Sequence, residues 1–110
     1  MNLNRIWKIE MLGQYGWESS ATAFLEDGLY RDAGKEHYAI GSYDSDGKEI
    51  TIDMTAISHG RIRTLFGTKS ARQKIRFEGK ISKGVIEGVA KNPKGKFFVS
   101  FRATRVADHP

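Results

Sequence analysis

Three features of this 110-residue chain predict an all-β fold, an eight-stranded antiparallel up-and-down barrel. Asp27-Gly28 and Asp46-Gly47 each stand between runs of alternating apolar and polar residues. Asp-Gly supplies the positive φ angles that a tight hairpin needs, which makes it a strong short-range hairpin signal. Apolar residues recur at every second position, with no helical period. Turn signals return at spacings of about 8–12 residues, the rhythm of a barrel or sandwich. Closure is favoured because an open meander of this length leaves two unpaired edges.

Taken in order, Arg5–Leu12 forms a first strand with Trp7, Ile9 and Met11 on one face. Gly13–Gly16 breaks it, and Glu18–Glu26 follows with Ala21, Ala23 and Leu25 on one face. Asp27-Gly28 turns the chain into Leu29–Arg31. Asp32–Glu36 has the composition of a bend or bulge, leading to His37–Asp44, where Tyr38 and Ile40 share a face. Gly41 inside that strand marks a kink or a close approach of backbones. Ser45–Lys48 turns into Glu49–Ser58, with the clearest alternation: Ile50, Ile52, Met54 and Ala56 against Thr51, Asp53 and Thr55. Gly60–Ser70 is the longest break. Ala71–Ser82 sets Ile75, Phe77 and Ile81 against Arg76, Glu78 and Lys80. A turn at Ser82–Gly84 leads to Val85–Lys91, a short strand interrupted by Gly88. Asn92-Pro-Lys-Gly95 is a turn by composition. Lys96–Val106 closes the chain with Phe97, Val99, Phe101 and Ala103 on one face. Residues 1–106 are expected to be one barrel domain and 107–110 a frayed tail.

Composition narrows the chemistry. There is no cysteine, which excludes disulfides, thiolate nucleophiles and cysteine-based metal sites, and points to a reducing cytoplasm. No span has the ~18 apolar residues of a membrane helix, and no signal-peptide pattern opens the sequence. Residues 1–60 carry five Lys/Arg and ten Asp/Glu, a net of −5, whereas residues 61–110 carry thirteen and three, a net of +10. Neighbours in a meander are neighbours in space, so an acidic and a basic flank are expected.

No catalytic constellation stands out, and the expectation is a non-enzymatic protein. His37, His59 and His109 lack the spacing of a metal-ligand set, and His37 with Asp32 and Glu36 reads as solvated loop charge. The serines lie in no nucleophile motif, and the paired carboxylates fall at turns. No cofactor motif is present. Lys94–Phe101 resembles an RNA-recognition strand but places Lys96 and Phe97 where an aromatic and a small residue belong. Arg72, Lys74, Arg76, Lys80, Lys83, Lys91, Lys94 and Lys96 nevertheless offer a basic surface for nonspecific binding of nucleic acid or anions. Trp7, Tyr38, Ile52, Phe77 and Phe101 can line an apolar cavity or fill a packed interior.

The run from Gly16 to Asp53 contains the Asp27-Gly28 turn, Gly34, and Tyr-x-x-Gly-Ser-Tyr at 38–43. With Phe66-Gly67, Phe77-Glu-Gly79 and Ile86-Glu-Gly88, it resembles the GrlR-like family of small lipocalin-like barrels. The resemblance implies a homodimer acting as a negative regulator that binds a transcriptional activator through an acidic loop. Asp44, Asp46 and Glu49 stand at the matching place, diluted by Lys48, so the acidic motif is not reproduced. The first expectation is a regulatory or binding module with a protein partner. The alternatives are a carrier of a small apolar molecule and a binder of nucleic acid or anions.

Overall fold

A computed structural model describes residues 5–35, 37–58, 72–92 and 98–107. Eight strands follow in order: β1 (Arg5–Gly13), β2 (Gly16–Glu26), β3 (Leu29–Ala33), β4 (His37–Ser45), β5 (Glu49–Ser58), β6 (Arg72–Ser82), β7 (Val85–Lys91) and β8 (Phe98–Ala107). Each pairs antiparallel with the next, and β8 returns to β1, closing an up-and-down barrel. The expected fold class is the one observed. The expected Gly60–Ser70 break, Pro93–Gly95 of the 92–95 turn, and the 108–110 part of the tail lie outside the described residues.

The tight turns owe their form to local conformational freedom. Asp27 and Gly28 have φ of 50° and 84°, and Lys83 and Gly84 have 50° and 79°. Two consecutive positive φ angles match the right-handed twist of the strands they join. In the β4–β5 turn Gly47 has φ of 91°. There Asp46 Oδ1 accepts hydrogen bonds from the amides of Lys48 and Glu49, both at 2.8 Å.

Three details depart from the expectation. Asp32 and Ala33 belong to β3 rather than to a bend, because they pair with Ala39 and Tyr38 of β4. β7 runs unbroken through Gly88, which pairs with Gly79 and Phe101. In β2 a register shift opposite Ile9 and Glu10 makes Ser20 an extra residue between Ser19 and Ala21. Gly41 does mark a close approach: a Cβ there would stand 2.0 Å from the Asp53 carbonyl oxygen of β5.

Alternation places Trp7, Leu25, Tyr30, Ile50, Phe77 and Ile86 in the interior, none more than 3% exposed. The Phe77 and Phe101 rings stack with centroids 4.4 Å apart, and Tyr30 meets Phe77 edge-on at 6.4 Å. Burial of such side chains contributes roughly 1.5–3 kcal/mol each and drives closure. Up-and-down connectivity gives the barrel two distinct ends. One carries the β2–β3, β4–β5 and β6–β7 turns; the other carries the β1–β2 and β3–β4 connections and the ends of β5, β6, β7 and β8.

Candidate functional site

The second end of the barrel is where the interior becomes polar. Inward positions of β3, β4, β5 and β6, together with the extra residue of β2, bring Ser20, Asp32, His37, Ser58 and Gln73 around a cavity of about 200 Å³. Its deeper wall is apolar, made by Ile9, Met11, Met54, Ile75 and Phe77, with Ala39 and Ala56 between them. A larger depression of about 720 Å³ lies on the outer wall beside Ile40, Asp53, Lys74 and Arg76. It opens to solvent, and its Arg76 and Asp53 are already paired. The interior cavity is therefore the better candidate.

Asp32 gives the cavity its chemistry. Among the described residues it is the only buried polar or charged one, 8% exposed. Tyr30, two residues earlier and on the same face of β3, donates its hydroxyl proton to Asp32 Oδ2. Oδ1 accepts no hydrogen bond among the described residues. His37 Nε2 stands 3.5 Å from it, beyond a good hydrogen bond but within ionic reach. Leaving a buried acceptor unmet costs roughly 1–3 kcal/mol, and more for a charged group. Burial, then the neighbouring Asp32 carboxylate, pushes the Tyr30 hydroxyl well above the ordinary tyrosine value, so Tyr30 remains a donor.

Backbone geometry holds His37 in place. The Gly34 amide donates to the His37 carbonyl at 2.8 Å across the β3–β4 connection. A Cβ on Gly34 would lie 2.9 Å from His37 Cε1 and 2.5 Å from the Ser20 carbonyl oxygen. Glycine at 34 therefore leaves room for the imidazole to fold over the turn toward Asp32. The imidazole is about a quarter exposed, at the mouth, whereas the Asp32 side chain is 5% exposed.

The residues singled out from sequence divide between wall, turn and interior. Trp7, Ile52, Phe77 and Phe101 are interior and buried, and of these Phe77 lines the cavity. Tyr38 corrects the expectation: it is 40% exposed on the outer wall. Its partner in β3 is Ala33, while Asp32 pairs with Ala39, so the inward parity of β4 falls on 37, 39 and 41. Asp44, Asp46 and Glu49 are exposed at the opposite end from the cavity. Asp46 builds its own turn, and the amide hydrogen bonds from Glu49, then Lys48, hold its carboxyl below the usual carboxylate value.

The acidic and basic halves of the chain meet along two seams. Sequential pairing sets acidic β5 beside basic β6, and closure sets β1 beside basic β8. Arg76 makes two hydrogen bonds to Asp53, at 2.8 and 3.0 Å. Lys91 reaches Glu78 at 2.6 Å, and Arg102 reaches Glu10 at 3.0 Å while lying 4.3 Å above the Trp17 ring. Arg72, Lys74 and Lys80 remain exposed on β6, but Arg76 between them is neutralised. Lys94, Lys96, His59 and His109 lie outside the described residues. Among the described residues no group of three or more His, Asp or Glu is gathered as a metal site.

The reading of Asp32 and His37 as solvated loop charge is overturned for Asp32, which is buried; the turn composition of 32–36 hid its place in β3. The usable signal was parity: Tyr30 and Asp32 are two apart in a strand, so a buried Tyr30 carries Asp32 inward with it. No protein-family model matches the chain, and no curated protein matches it either.

Proposed function

We propose that this protein is a non-enzymatic binding module that holds a small molecule in the polar-mouthed end of its barrel. The observation that carries this reading is the cavity of about 200 Å³, apolar in its depth and ringed by Asp32, His37, Ser58 and Gln73 at its mouth. A concave apolar site with a few converging polar groups is the usual form of a small-molecule site. The volume is below the roughly 300–1,000 Å³ of drug-sized sites, so the ligand is compact. The acidic turn at Asp44, Asp46 and Glu49 has less support as a recognition surface, because Asp46 is engaged in turn hydrogen bonds. Nucleic-acid binding has less support too, since cross-strand carboxylates occupy Arg76, Lys91 and Arg102.

A thermal-shift screen of compounds with about ten non-hydrogen atoms or fewer tests the reading. Hits should raise the melting temperature of the wild type and leave Ala56→Leu, which fills the cavity, unmoved. A screen in which every hit stabilises Ala56→Leu equally places the binding elsewhere and ends the proposal.

A protein-contact reading is favoured by one separate observation. Phe24, Leu29 and Ile40 are 46%, 50% and 54% exposed on the outer wall of β2, β3 and β4. Arg31 stands between Phe24 and Ile40 in the register, and this mixed apolar and charged wall suits the homodimer or partner contact implied by the GrlR-like resemblance. Sedimentation decides it: a wild-type dimer that Ile40→Glu converts to monomer supports the contact, and a wild type monomeric at high micromolar concentration removes the homodimer.

A further inference from the structure

We infer that the cavity selects compact monocations, a protonated amine or amidinium on a small apolar body, with Asp32 as the counter-ion. The inference rests on the ligand-binding reading above and adds the charge that the ligand must carry.

Among the described residues lining the cavity, Asp32 and His37 are the ionisable ones. Asp32 Oδ2 is satisfied by the Tyr30 hydroxyl, whereas Oδ1 is buried and accepts no hydrogen bond among the described residues. The cavity around it is walled by Ile9, Met11, Met54, Ile75 and Phe77. A carboxylate oxygen in such surroundings is stabilised most by a donor that also carries positive charge, because low polarity strengthens the attraction. His37 Nε2, 3.5 Å from Oδ1 and about a quarter exposed, is too far for a good hydrogen bond, and a neutral hydroxyl can donate to Oδ1 but brings no positive charge. An anion meets repulsion undiluted by water. The exposed cations of β6, Arg72 and Lys74, stand on the outer face and do not line the cavity.

Size sets the second half of the specificity. A volume of about 200 Å³ matches the share of roughly seven molecules of liquid water. A single ring or short branched chain with one ammonium fills it. The apolar depth suits the hydrocarbon part, and Oδ1 suits the cationic tip.

Three probes of one shape and different charge test the inference: benzylammonium, benzyl alcohol and benzoate, titrated calorimetrically into wild-type protein at neutral pH. Benzylammonium is expected to bind roughly tenfold or more tighter than benzyl alcohol, as hydrogen bonds to charged groups allow, with benzoate weakest. Asp32→Asn should bring benzylammonium to within about twofold of the alcohol. Lys74→Gln, on the outer face and not lining the cavity, should keep the wild-type ranking, and that ranking decides the matter even if Asp32→Asn does not fold. Equal binding of alcohol and ammonium, or tighter binding of benzoate, overturns the cation inference and leaves the ligand-binding reading standing. No binding of any probe overturns the inference and counts against the cavity itself.

Discussion

At the end of the barrel that carries the Asp27-Gly28, Asp46-Gly47 and Lys83-Gly84 turns, Trp7, Leu25, Ile50 and Ile86 fill the interior with side chains at most 3% exposed. At the other end the same wall presents Ser20, Asp32, His37, Ser58 and Gln73 around a cavity. The difference follows from where large and small residues fall on the inward parity. Toward the first end the inward positions hold the bulky Trp7, Leu25, Ile50 and Ile86, with Ala23 beside Trp7 and Ala103 beside Ile86. Near the cavity they include Ala39, Ala56 and Ser58, too small to meet across the barrel. One end thus supplies the burial that holds the strands together, and the other tolerates a buried carboxylate with an unmet oxygen. A protein with only the first arrangement is a stable cylinder; the second arrangement is where recognition can reside.

The contrast can be broken most sharply in the packed part. Phe101→Ala removes the ring stacked on Phe77 and is expected to lower stability by about 3–5 kcal/mol in urea denaturation. Met11→Ala, at the cavity wall and already partly exposed, should cost about 2 kcal/mol or less, near or below the low end of such truncations. Equal losses at the two positions would mean that the cavity wall is packed as tightly as the aromatic interior beside it.

A smaller effect comes from adding volume rather than removing it. Ala103→Leu overfills a site that is 2% exposed and should cost about 1–3 kcal/mol. Ala56→Leu grows into the cavity and should change stability by less than about 1 kcal/mol. Paired urea titrations give both numbers, and a severe loss in Ala56→Leu would show that the cavity is not free volume.

Titration separates the interior from the seams. Tyr30 has its hydroxyl raised well above the ordinary tyrosine value by burial, then by the charge of Asp32. Its contribution is therefore complete below about pH 10, the unfolded value, and is lost as pH rises through the folded one. Stability should fall above pH 10 in wild type, and Tyr30→Phe should flatten that alkaline limb.

The weakest effect is expected on the outside, at the β1–β8 seam. Hydrogen bonding from Arg102 holds the Glu10 carboxyl below its ordinary value, partly offset by burial. A lowered carboxyl contributes above its unfolded pKa, and the contribution disappears as pH falls through the folded pKa. Glu10→Gln should shallow the acid limb of the stability profile slightly without affecting the alkaline one. The pair is only partly buried and such pairs near the surface contribute little, so a large change there would contradict the division between interior and seam.

Much of the fold was legible because hairpin chemistry is local. Asp27-Gly28 and Asp46-Gly47 identify their turns by residue type, and Ile50, Ile52 and Met54 declare their face by alternation. Strand β4 was harder, since its bulkier pair, Tyr38 and Ile40, points outward and its inward residues are Ala39 and Gly41. Hydrophobicity favoured the first pair; pairing of Asp32 with Ala39 and of Tyr30 with Gly41 decided for the second. The candidate site was hidden for a related reason. Asp32 looks like a loop residue beside Ala33-Gly34-Lys35, and only the register of β3 against β4 turns it inward. Net charge per half does not show the seams, where sequential pairing lays Asp53 against Arg76 and closure lays Glu10 against Arg102.

Amide chemical-shift mapping of the wild type during titration with benzylammonium tests the central claim most directly. The perturbed amides should cluster at Ser20, Asp32, His37, Ala39, Ala56 and Gln73, with Ile50 and Ile86 at the filled end unmoved. Perturbations centred instead on Lys74, Arg76 and Lys80, or on Leu29 and Ile40, would place recognition on the outer wall and contradict the assignment of the polar-mouthed cavity as the binding site.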